Sequence, residues 1–292
     1  MYNQVMPELP EVETLCRGLQ KAIVGKTIKD VEVRYGKSFP ADPDEIIGVK
    51  VKSVHRRAKL LYLPLSNGKS LVVHLKLTGQ LIYTKDGPQT GGLVGGHPEK
   101  VYDLPPPHKH THVTIEFSDG SHLYFNDLRK FGWMKIVESG QETRTMAGEL
   151  GVEPFSKDFN IKTIKALAAR RPGMWVKQFL MEQSLIAGIG NIYSDEILWC
   201  AKVHPFRRVK EIPPREWVRI IKCTPKVLTK ALEAGGTSFS AFRNLSGSLG
   251  KFYDLAKVYQ KEGEKCARKD GGVIERRKMA GRSAHFCPKC QK

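Results

Sequence analysis

The chain has 292 residues, which is enough for two domains with separate hydrophobic cores. Its 48 Lys and Arg residues outnumber 30 Asp and Glu residues, and the resulting formal net charge of +18 favours a polyanionic partner such as nucleic acid. The sequence contains neither a run of about eighteen apolar residues nor a signal-peptide pattern, which argues against a membrane protein and predicts a cytoplasmic one. A basic RNA-associated or ribosome-associated protein fits this composition equally well, so the motifs must decide.

The N-terminal stretch places a proline and a carboxylate directly after a methionine that could start translation, Met6. Removing Met6 would free the nitrogen of Pro7, a secondary amine that can attack a sugar C1′ and form an iminium, and Glu8 could move the protons that this chemistry needs. We expect residues 1–5 to be a non-native extension, because they would block the amine if retained. An ordinary amphipathic helix with Pro10 in its first turn is also predicted, but helix rules do not explain Pro7 and Glu8.

Short runs with alternating or β-branched residues, separated by turn signals, predict a series of β-strands after this helix. The runs are residues 27–34, 49–54, 59–65, 70–75, 81–84, 113–117, 122–126 and 133–137. They predict a β-sandwich with the N-terminal helix packed against it. The Gly-rich and Pro-rich stretch 85–107 predicts a surface loop.

The second half of the chain is predicted to be helical, which makes the whole an α+β protein. Helical patterns cover residues 161–170, 176–182, 192–201 and 214–234, and a loop follows at residues 235–252. At their centre Gly188 and Gly190 precede Asn191, which could cap the next helix. Because glycines let backbone amides approach an anion, this turn could also grip a phosphate.

The six cysteines divide into a scattered group and a C-terminal group. Cys16, Cys200 and Cys223 lie in apolar helical patterns, where reduced core thiols are expected. Cys266, Cys287 and Cys290 crowd the C-terminus.

Three histidines could form a metal cluster by composition, since alternate strand residues share a face. They are His108, His110 and His112. No cysteine or carboxylate pattern nearby completes such a site.

The string PELPEVET at residues 7–14, with several later motifs, resembles the formamidopyrimidine-DNA glycosylase family more closely than the PEGPE start of the related endonuclease VIII branch. The resemblance covers nearly the whole chain. It implies a catalytic β-sandwich domain at residues 6–150, a helix-two-turn-helix domain at 151–262 and a zinc-finger-like hairpin at 263–292. It also implies a monomeric, nucleoid-associated bacterial protein that acts on double-stranded DNA containing oxidised bases.

The resemblance implies roles for residues of the first domain. Lys59, in RRAK, corresponds to a lysine that assists proton transfer during strand cleavage. The segment HLKLTG, which begins at His74, resembles HLGMTG, and it puts Leu77 where a methionine fills the hole left by a flipped base. A lysine replaces the glycine of that motif, and His74 is included among the DNA contacts.

Further DNA contacts are implied at His110 and in DLRKFG, which resembles the family segment DPRRFG. There Arg129 would face the orphaned partner base and Phe131 would wedge into the stack.

The segment from residue 183 to 196 and on to residues 204–205 resembles the family's helix-two-turn-helix. It implies that Asn191 contacts phosphate, with Arg171 as a second candidate upstream. Arg282 matches an arginine that grips phosphate and is implicated in the second elimination.

The two last cysteines resemble half of the family's zinc finger, and Cys266 begins the other half, but Lys269 occupies the expected position of the fourth cysteine. A structural zinc needs four deprotonated ligands. Asp270 could serve if the turn shifts, and His285 is another candidate. Two alternatives stay open: one structural zinc per chain held by three cysteines and Asp270, or a weakened or absent metal site.

The sequence therefore predicts a bifunctional DNA glycosylase and lyase that excises oxidised purines, such as 8-oxoguanine and formamidopyrimidines, from duplex DNA. Two other classes remain open. One is a catalytically inactive DNA-binding protein, which the retention of residues 1–5 would favour. The other is an endonuclease VIII-like enzyme for oxidised pyrimidines.

Overall fold

A computed structural model describes residues 6–85, 93–96, 106–145, 150–237 and 250–292. The chain forms two compact units, one of residues 1–147 and 232–253 and the other of residues 148–231 and 254–292. Across the described ranges, no helix combines the length and the apolar character needed to cross a membrane.

The first unit begins with helix α1 (Leu9–Ile23), which has Glu8 as its N-cap and a proline in its first turn. The apolar face of this helix is fully buried, at 1% exposure or less for Val12, Leu15, Leu19 and Ile23. This period of three to four residues directs one face of α1 into the core. The prediction of an amphipathic helix here is confirmed.

In the described part of this unit, nine antiparallel strands follow α1 and form two sheets. They are β1 (Ile28–Val33), β2 (His55–Arg57), β3 (Leu60–Pro64), β4 (Lys69–His74), β5 (Gly79–Thr84), β6 (Leu93–Gly96), β7 (Thr111–Phe117), β8 (His122–Asp127) and β9 (Trp133–Glu138). One sheet has the order β1-β7-β8-β5-β6 and the other β2-β3-β4-β9. Apolar side chains of both sheets and of α1 share one core. The predicted sandwich with a packed helix is confirmed.

Two predicted segments of this unit differ from the structure. The predicted strand 49–54 makes only single bridges, Lys50 with Thr27 and Val51 with Leu65. Because the two residues pair with different segments, no continuous ladder forms, and β2 begins only at His55. The predicted loop 85–107 contains β6, which pairs with β5.

The second unit contains α2 (Ile161–Ala169), α3 (Val176–Met181), α4 (Asn191–Ala201) and most of α5 (Pro214–Glu233). The short α6 (Phe252–Leu255) spans the division in sequence. A hairpin of β10 (Glu275–Met279) and β11 (Arg282–Phe286) completes this unit.

A buried ion pair fixes the hairpin to α3 and α4. The Lys177 ammonium lies 2.8 Å from Asp195 and donates to the carbonyl of Ser283 at 2.5 Å. The other oxygen of Asp195 accepts from the backbone N–H of His285 at 3.0 Å. Lys177 and Asp195 are each 1% exposed, so each charge depends on the other for stability.

The neighbouring carboxylate, Glu196, organises a different segment. It accepts hydrogen bonds from the backbone N–H groups of Lys257, Val258 and Tyr259 at 2.9 to 3.0 Å. Burial raises the pKa of Glu196, while these three amides act to lower it. The chain leading to the hairpin is thereby attached to α4.

A disulfide joins Cys200 of α4 to Cys223 of α5, with 5.9 Å between the two Cα atoms. The expectation that both are reduced thiols is therefore wrong. The apolar pattern of each helix showed that the cysteines lie near the core, but not that the packing brings their Cα atoms to bonding separation. Cys16 is a free, buried thiol, as expected.

Candidate functional site

Pro7 and Glu8 lie at the head of α1, and both are buried. Glu8 is 1% exposed and forms a capping box with Glu11, whose Oε2 accepts from the Glu8 backbone N–H at 3.0 Å. The partial positive charge of a helix N-terminus favours a carboxylate at this position. The local sequence thus fixes a carboxylate immediately beside Pro7.

The other oxygen of Glu11 holds a distant residue of the same unit. Oε1 accepts from the backbone N–H of Thr237 at 2.8 Å and from its hydroxyl at 3.1 Å. Sequence analysis did not identify this contact. A glutamate three residues after an N-cap signals a capping box, but nothing local signals a partner 226 residues later.

Lys59 lies half-buried in the turn between β2 and β3, just before the strand that it was predicted to head. Arg56 anchors this turn: it pairs with Glu13 of α1 at 2.9 Å and donates to the carbonyl of Ala58 at 3.1 Å. Burial acts to raise the pKa of Glu13, but hydrogen bonds from Arg56 and Arg17 hold it below its usual value. The Lys59 turn is therefore attached to α1.

The HLKLTG segment is a tight turn between β4 and β5. Lys76 has φ +53°, a left-handed conformation that favours glycine, which explains why the resembling motif has glycine there. A Cβ on Gly79 would lie 2.3 Å from the Leu75 carbonyl oxygen, so this position needs glycine. Leu77, the predicted void-filling residue, is half-buried in this turn.

His74 lies beneath the turn and is 3% exposed. Its Nδ1 accepts from the backbone N–H of Lys76 at 2.9 Å, and its ring packs against Trp133. Burial, followed by the charges of Lys76 and Lys59, lowers the pKa of His74 to about 3. The ring is thus neutral at physiological pH, and its observed contacts support the turn.

Asp127 ties the HLKLTG turn to the DLRKFG turn. Its carboxylate accepts from the Thr78 hydroxyl, from the Arg129 backbone N–H at 3.1 Å and from the Gly132 backbone N–H at 2.6 Å. Asp127 is 0% exposed. It therefore fixes the loop that carries Arg129 and Phe131, a role that the sequence analysis missed.

Arg129 and Phe131 project from this loop into solvent. Phe131 is 56% exposed, and the Arg129 guanidinium lies 5.0 Å from the centre of its ring. An exposed aromatic ring beside an arginine can fill a gap in a base stack while the arginine binds a base edge. The structure thus brings together the two side chains to which the sequence assigned those roles.

The three histidines upstream have separate surroundings. Asn126 contacts His108 Nδ1 at 3.2 Å, and the Asp127 carbonyl lies 2.7 Å from His112 Nε2. Both rings are buried, whereas His110 is half-buried, and its carbonyl accepts from the Asp127 N–H at 3.0 Å. His110 is therefore the most accessible of the three.

In the second unit the glycine-rich turn leads into α4. The N-cap is Gly190 and Asn191 is the first helical residue, so the prediction that Asn191 caps the helix is wrong. The side chain of Gln183 holds the turn instead, accepting from the Gly188 N–H at 2.9 Å and donating to the Ile189 carbonyl at 2.8 Å. Asn191 remains at the N-terminus of an 11-residue helix, where an anion is favoured.

The other two predicted phosphate contacts, Arg171 and Arg282, are exposed residues of this unit. Arg282 begins β11 directly after a turn and lines a surface pocket with Lys177 and Met279. The residue after it, Ser283, receives the Lys177 hydrogen bond described above. The hairpin end that carries Arg282 is thus held from beneath.

The C-terminal cysteines and Asp270 form a compact cluster whose ligand atoms all lie within 4.8 Å of one another. The sulfurs of Cys266 and Cys290 are 3.9 Å apart, and Cys287 Sγ lies 3.9 Å from an Asp270 oxygen. A tetrahedral zinc with bonds of about 2.3 Å separates two sulfurs by about 3.8 Å. The four residues therefore fit a zinc ion.

Asp270 lies one residue beyond the position where a C-x-x-C pair would place its second cysteine. The intervening Lys269 has φ +55°, and this left-handed turn brings Asp270 to the cluster. His285, the other candidate for the fourth ligand, is not part of this cluster. Its Nδ1 lies 3.1 Å from Asp195 in the buried network.

These features define the class of helix-two-turn-helix DNA glycosylases. The first unit is a sandwich with a proline and a glutamate at the head of its helix, and the second is a helical unit with a glycine-rich turn and a four-ligand finger. Three family profiles match in chain order. They are the formamidopyrimidine-DNA glycosylase N-terminal domain at residues 6–134, its H2TH domain at 150–243 and a zinc finger found in FPG and IleRS at 263–292. The chain belongs to the formamidopyrimidine-DNA glycosylase family.

Relatives match over nearly their full length. Formamidopyrimidine-DNA glycosylases of Streptococcus pneumoniae and Heliobacterium modesticaldum are each 38% identical, over 98% of this chain and 99% and 100% of theirs. A solved complex of Lactococcus lactis Fpg with DNA containing an abasic site is 33% identical, with a TM-score of 0.85 over 98% of this chain and 99% of that one. A mutant of the same protein in complex with Fapy-dG DNA gives the same TM-score and identity.

We expect the buried His74 to make folding stability depend on pH. Its pKa is about 3 when folded and near 6.5 when unfolded, so its contribution is complete above pH 6.5 and is lost as the pH falls toward 3. At pH 5 this loss is about 2 kcal/mol. Urea unfolding should therefore show a smaller decrease in the free energy of unfolding from pH 7 to pH 5 for His74→Asn than for the parent. Asparagine keeps an acceptor for the Lys76 N–H.

The matched control is His55→Asn, at an exposed histidine. It should retain the pH dependence of the parent. An equal loss of stability in the parent and in His74→Asn would contradict the assignment.

Proposed function

We propose that this chain is a bifunctional DNA glycosylase and lyase of base excision repair that removes oxidised purines from duplex DNA through the nitrogen of Pro7. Family membership supports the enzyme class. The observation that carries the assignment is the buried Glu8 carboxylate beside Pro7 at the head of α1. The complexes of the Lactococcus lactis relative, which contain abasic-site DNA and Fapy-dG DNA, support damaged duplex DNA as the substrate.

The first step joins the Pro7 nitrogen to C1′ of the damaged nucleotide and breaks the bond from C1′ to the base. The base leaves with the electron pair of that bond and takes a proton from water, while the Glu8 carboxylate takes the proton that the Pro7 nitrogen loses. When the sugar ring opens, Glu8 gives that proton to the ring oxygen and an iminium forms between Pro7 and C1′. The nucleotide must first leave the stack, because C1′ is not accessible within the duplex.

Strand cleavage follows from the electron demand of the iminium, which acidifies the C2′ proton. Loss of that proton expels the 3′ phosphate, with Lys59 assisting the proton transfer. Arg282 binds phosphate and assists the second elimination, which expels the 5′ phosphate. Hydrolysis of the iminium by water then releases the sugar fragment and regenerates the Pro7 amine.

The remaining predicted residues hold the DNA. We assign Leu77, Arg129 and Phe131 to the space vacated by the flipped nucleotide, because the two turns that carry them are joined through Asp127. Asn191 and Arg171 bind phosphate through the second unit, with His110 as a further DNA contact. His74 supports the turn that carries Leu77, since its ring is buried beneath that turn.

We assign one structural zinc to Cys266, Asp270, Cys287 and Cys290. Zinc would supply a cross-link between the turn at Asp270 and the end of the chain, and no step of the reaction uses it. For the whole chain we propose a catalytic sandwich at residues 6–150, a helix-two-turn-helix domain at 151–262 and the finger at 263–292.

A second candidate function is DNA binding without catalysis. In the full sequence a peptide bond to Met6 occupies the Pro7 nitrogen, and an amide nitrogen is not nucleophilic. Catalysis therefore requires a chain that begins at Pro7.

The identity of the nucleophile predicts a difference between two forms of the protein. The form that begins at Pro7 should be trapped by borohydride on a duplex with 8-oxoguanine opposite cytosine, and mass spectrometry should locate the link at Pro7. The form that retains residues 1–6 should bind the same duplex with similar affinity and give no link. Base release by the longer form, with its N-terminus verified by mass, would exclude Pro7.

Glu8→Gln removes the proton donor and leaves the Pro7 amine in place. We expect its single-turnover base excision to fall at least about a hundredfold with DNA affinity nearly unchanged, since proton transfer contributes about that much. Trapping on a pre-formed abasic site should persist, because there the base has already departed. Excision at the parent rate would remove Glu8 from the mechanism.

The zinc assignment predicts that metal content depends on Asp270 and not on Lys269. After dialysis, elemental analysis should find about one zinc per chain in the parent and in Lys269→Ala, and much less in Asp270→Ala. Asp270→Cys should restore zinc, and its cobalt form should show stronger sulfur charge-transfer absorption than the parent. Stoichiometric zinc in Asp270→Ala would exclude Asp270 as a ligand.

A further inference from the structure

The Glu11 carboxylate links two segments of the first unit that are far apart in sequence. Oε2 holds the backbone N–H of Glu8, and Oε1 holds both the N–H and the hydroxyl of Thr237. Glu11 is 2% exposed and Thr237 is 5% exposed, so these hydrogen bonds form away from water. Hydrogen bonds to a buried charged group are among the stronger ones in proteins.

Helix capping explains only half of this arrangement. A capping box needs one acceptor oxygen at the third helical position, and glutamine supplies it as well as glutamate. The second oxygen of Glu11 accepts hydrogen bonds from two more donors. A carboxylate can do this because both of its oxygens are acceptors. A glutamine amide has one oxygen and an NH₂ group, so it cannot accept from Glu8 and from Thr237 together without turning a donor toward a donor.

Thr237 belongs to two adjacent segments, residues 234–237 and 250–252, which we call the neck. Two backbone hydrogen bonds join its sides: Lys251 N–H to the Ala234 carbonyl at 2.8 Å and Phe252 N–H to the Gly236 carbonyl at 3.1 Å. A Cβ on Gly250 would lie 2.3 Å from the Gly236 carbonyl oxygen, so the two sides are in close contact. The neck is therefore an anchored support for Glu11.

We propose that Glu11 is a positioning residue for base excision, one that holds the Glu8 backbone in place from the neck through Thr237. The proposal rests on the proposed function, because it assigns Glu11 an effect on proton donation by Glu8. A displaced Glu8 would slow ring opening at a damaged nucleotide. It would matter less at a pre-formed abasic site, where the amine meets a sugar that has already lost its base.

The test uses chains that begin at Pro7 and compares Glu11→Gln with the parent in two reactions. Single-turnover excision of 8-oxoguanine should fall about tenfold to a hundredfold, which is the effect of one or two lost hydrogen bonds on a rate. Borohydride trapping on a pre-formed abasic site should stay within about twofold of the parent. The melting temperature should fall by several degrees at most, since glutamine retains the capping bond and loses only the bonds to Thr237.

Thr237→Val provides the second variant, because it removes the hydroxyl and leaves the backbone N–H donor and most of the volume. Its excision rate should fall less than that of Glu11→Gln, and its abasic-site trapping should match the parent. Thr14→Val is the matched control on the same helix, since the Thr14 hydroxyl donates to the Pro10 carbonyl within α1. It should retain both activities.

The outcomes separate the two claims. If the parent neither excises base nor is trapped at Pro7, the proposed function fails. If the parent is active and Glu11→Gln excises at the parent rate, or loses both reactions in parallel, the positioning role is wrong. If Glu11→Gln does not fold, Thr237→Val decides: a selective loss of excision supports the role and parent-like excision overturns it.

Discussion

A carboxylate that is removed from water must gather hydrogen-bond donors, and four buried carboxylates organise this protein for that reason. Glu11 collects donors from Glu8 and Thr237, and Asp127 collects them from two turns of the sandwich. In the second unit, Asp195 and Glu196 gather the hairpin and the chain that leads to it. Each carboxylate thereby joins segments that local secondary structure would not hold together.

The groups proposed to meet DNA have the opposite character. Arg129, Phe131, Arg171 and Arg282 are exposed and lie on turns or element ends, where long side chains keep their water until a partner arrives. Buried hydrogen bonds fix the backbone at Arg129 and, separately, beside Arg282, so little backbone ordering is required there on binding. The large positive charge of the protein adds an attraction to DNA phosphates. This attraction does not depend on the base sequence of the DNA, and it weakens as the salt concentration rises.

Much of the fold could be predicted because hydrophobic period is a local property. Val12, Leu15 and Leu19 mark one face of α1, and the alternating runs mark most of the sandwich strands. Residues 49–54 show the limit of this reasoning. Their composition suits a strand, but Lys50 and Val51 bridge to different segments, and pairing partners are not written in composition.

The site was predictable to the extent that motifs carry it. The motifs led to the roles proposed for Pro7, Glu8 and the exposed Arg129 and Phe131, but not to the supporting contacts, because these depend on tertiary packing. Asp270 could be considered from the sequence, yet its place in the cluster depends on the left-handed conformation of Lys269, which lysine rarely adopts. The Cys200–Cys223 bond likewise depends on how two helices pack.

The mixed composition of the finger has a consequence for its oxidation. Four thiols that lose a shared metal can close two internal disulfides and leave no sulfur reactive. Here the cluster has three cysteines and one aspartate, and an odd number of thiols cannot pair completely. Without metal, a disulfide between two of these cysteines would therefore leave the third thiol without an internal partner, open to further oxidation or to a disulfide with another molecule.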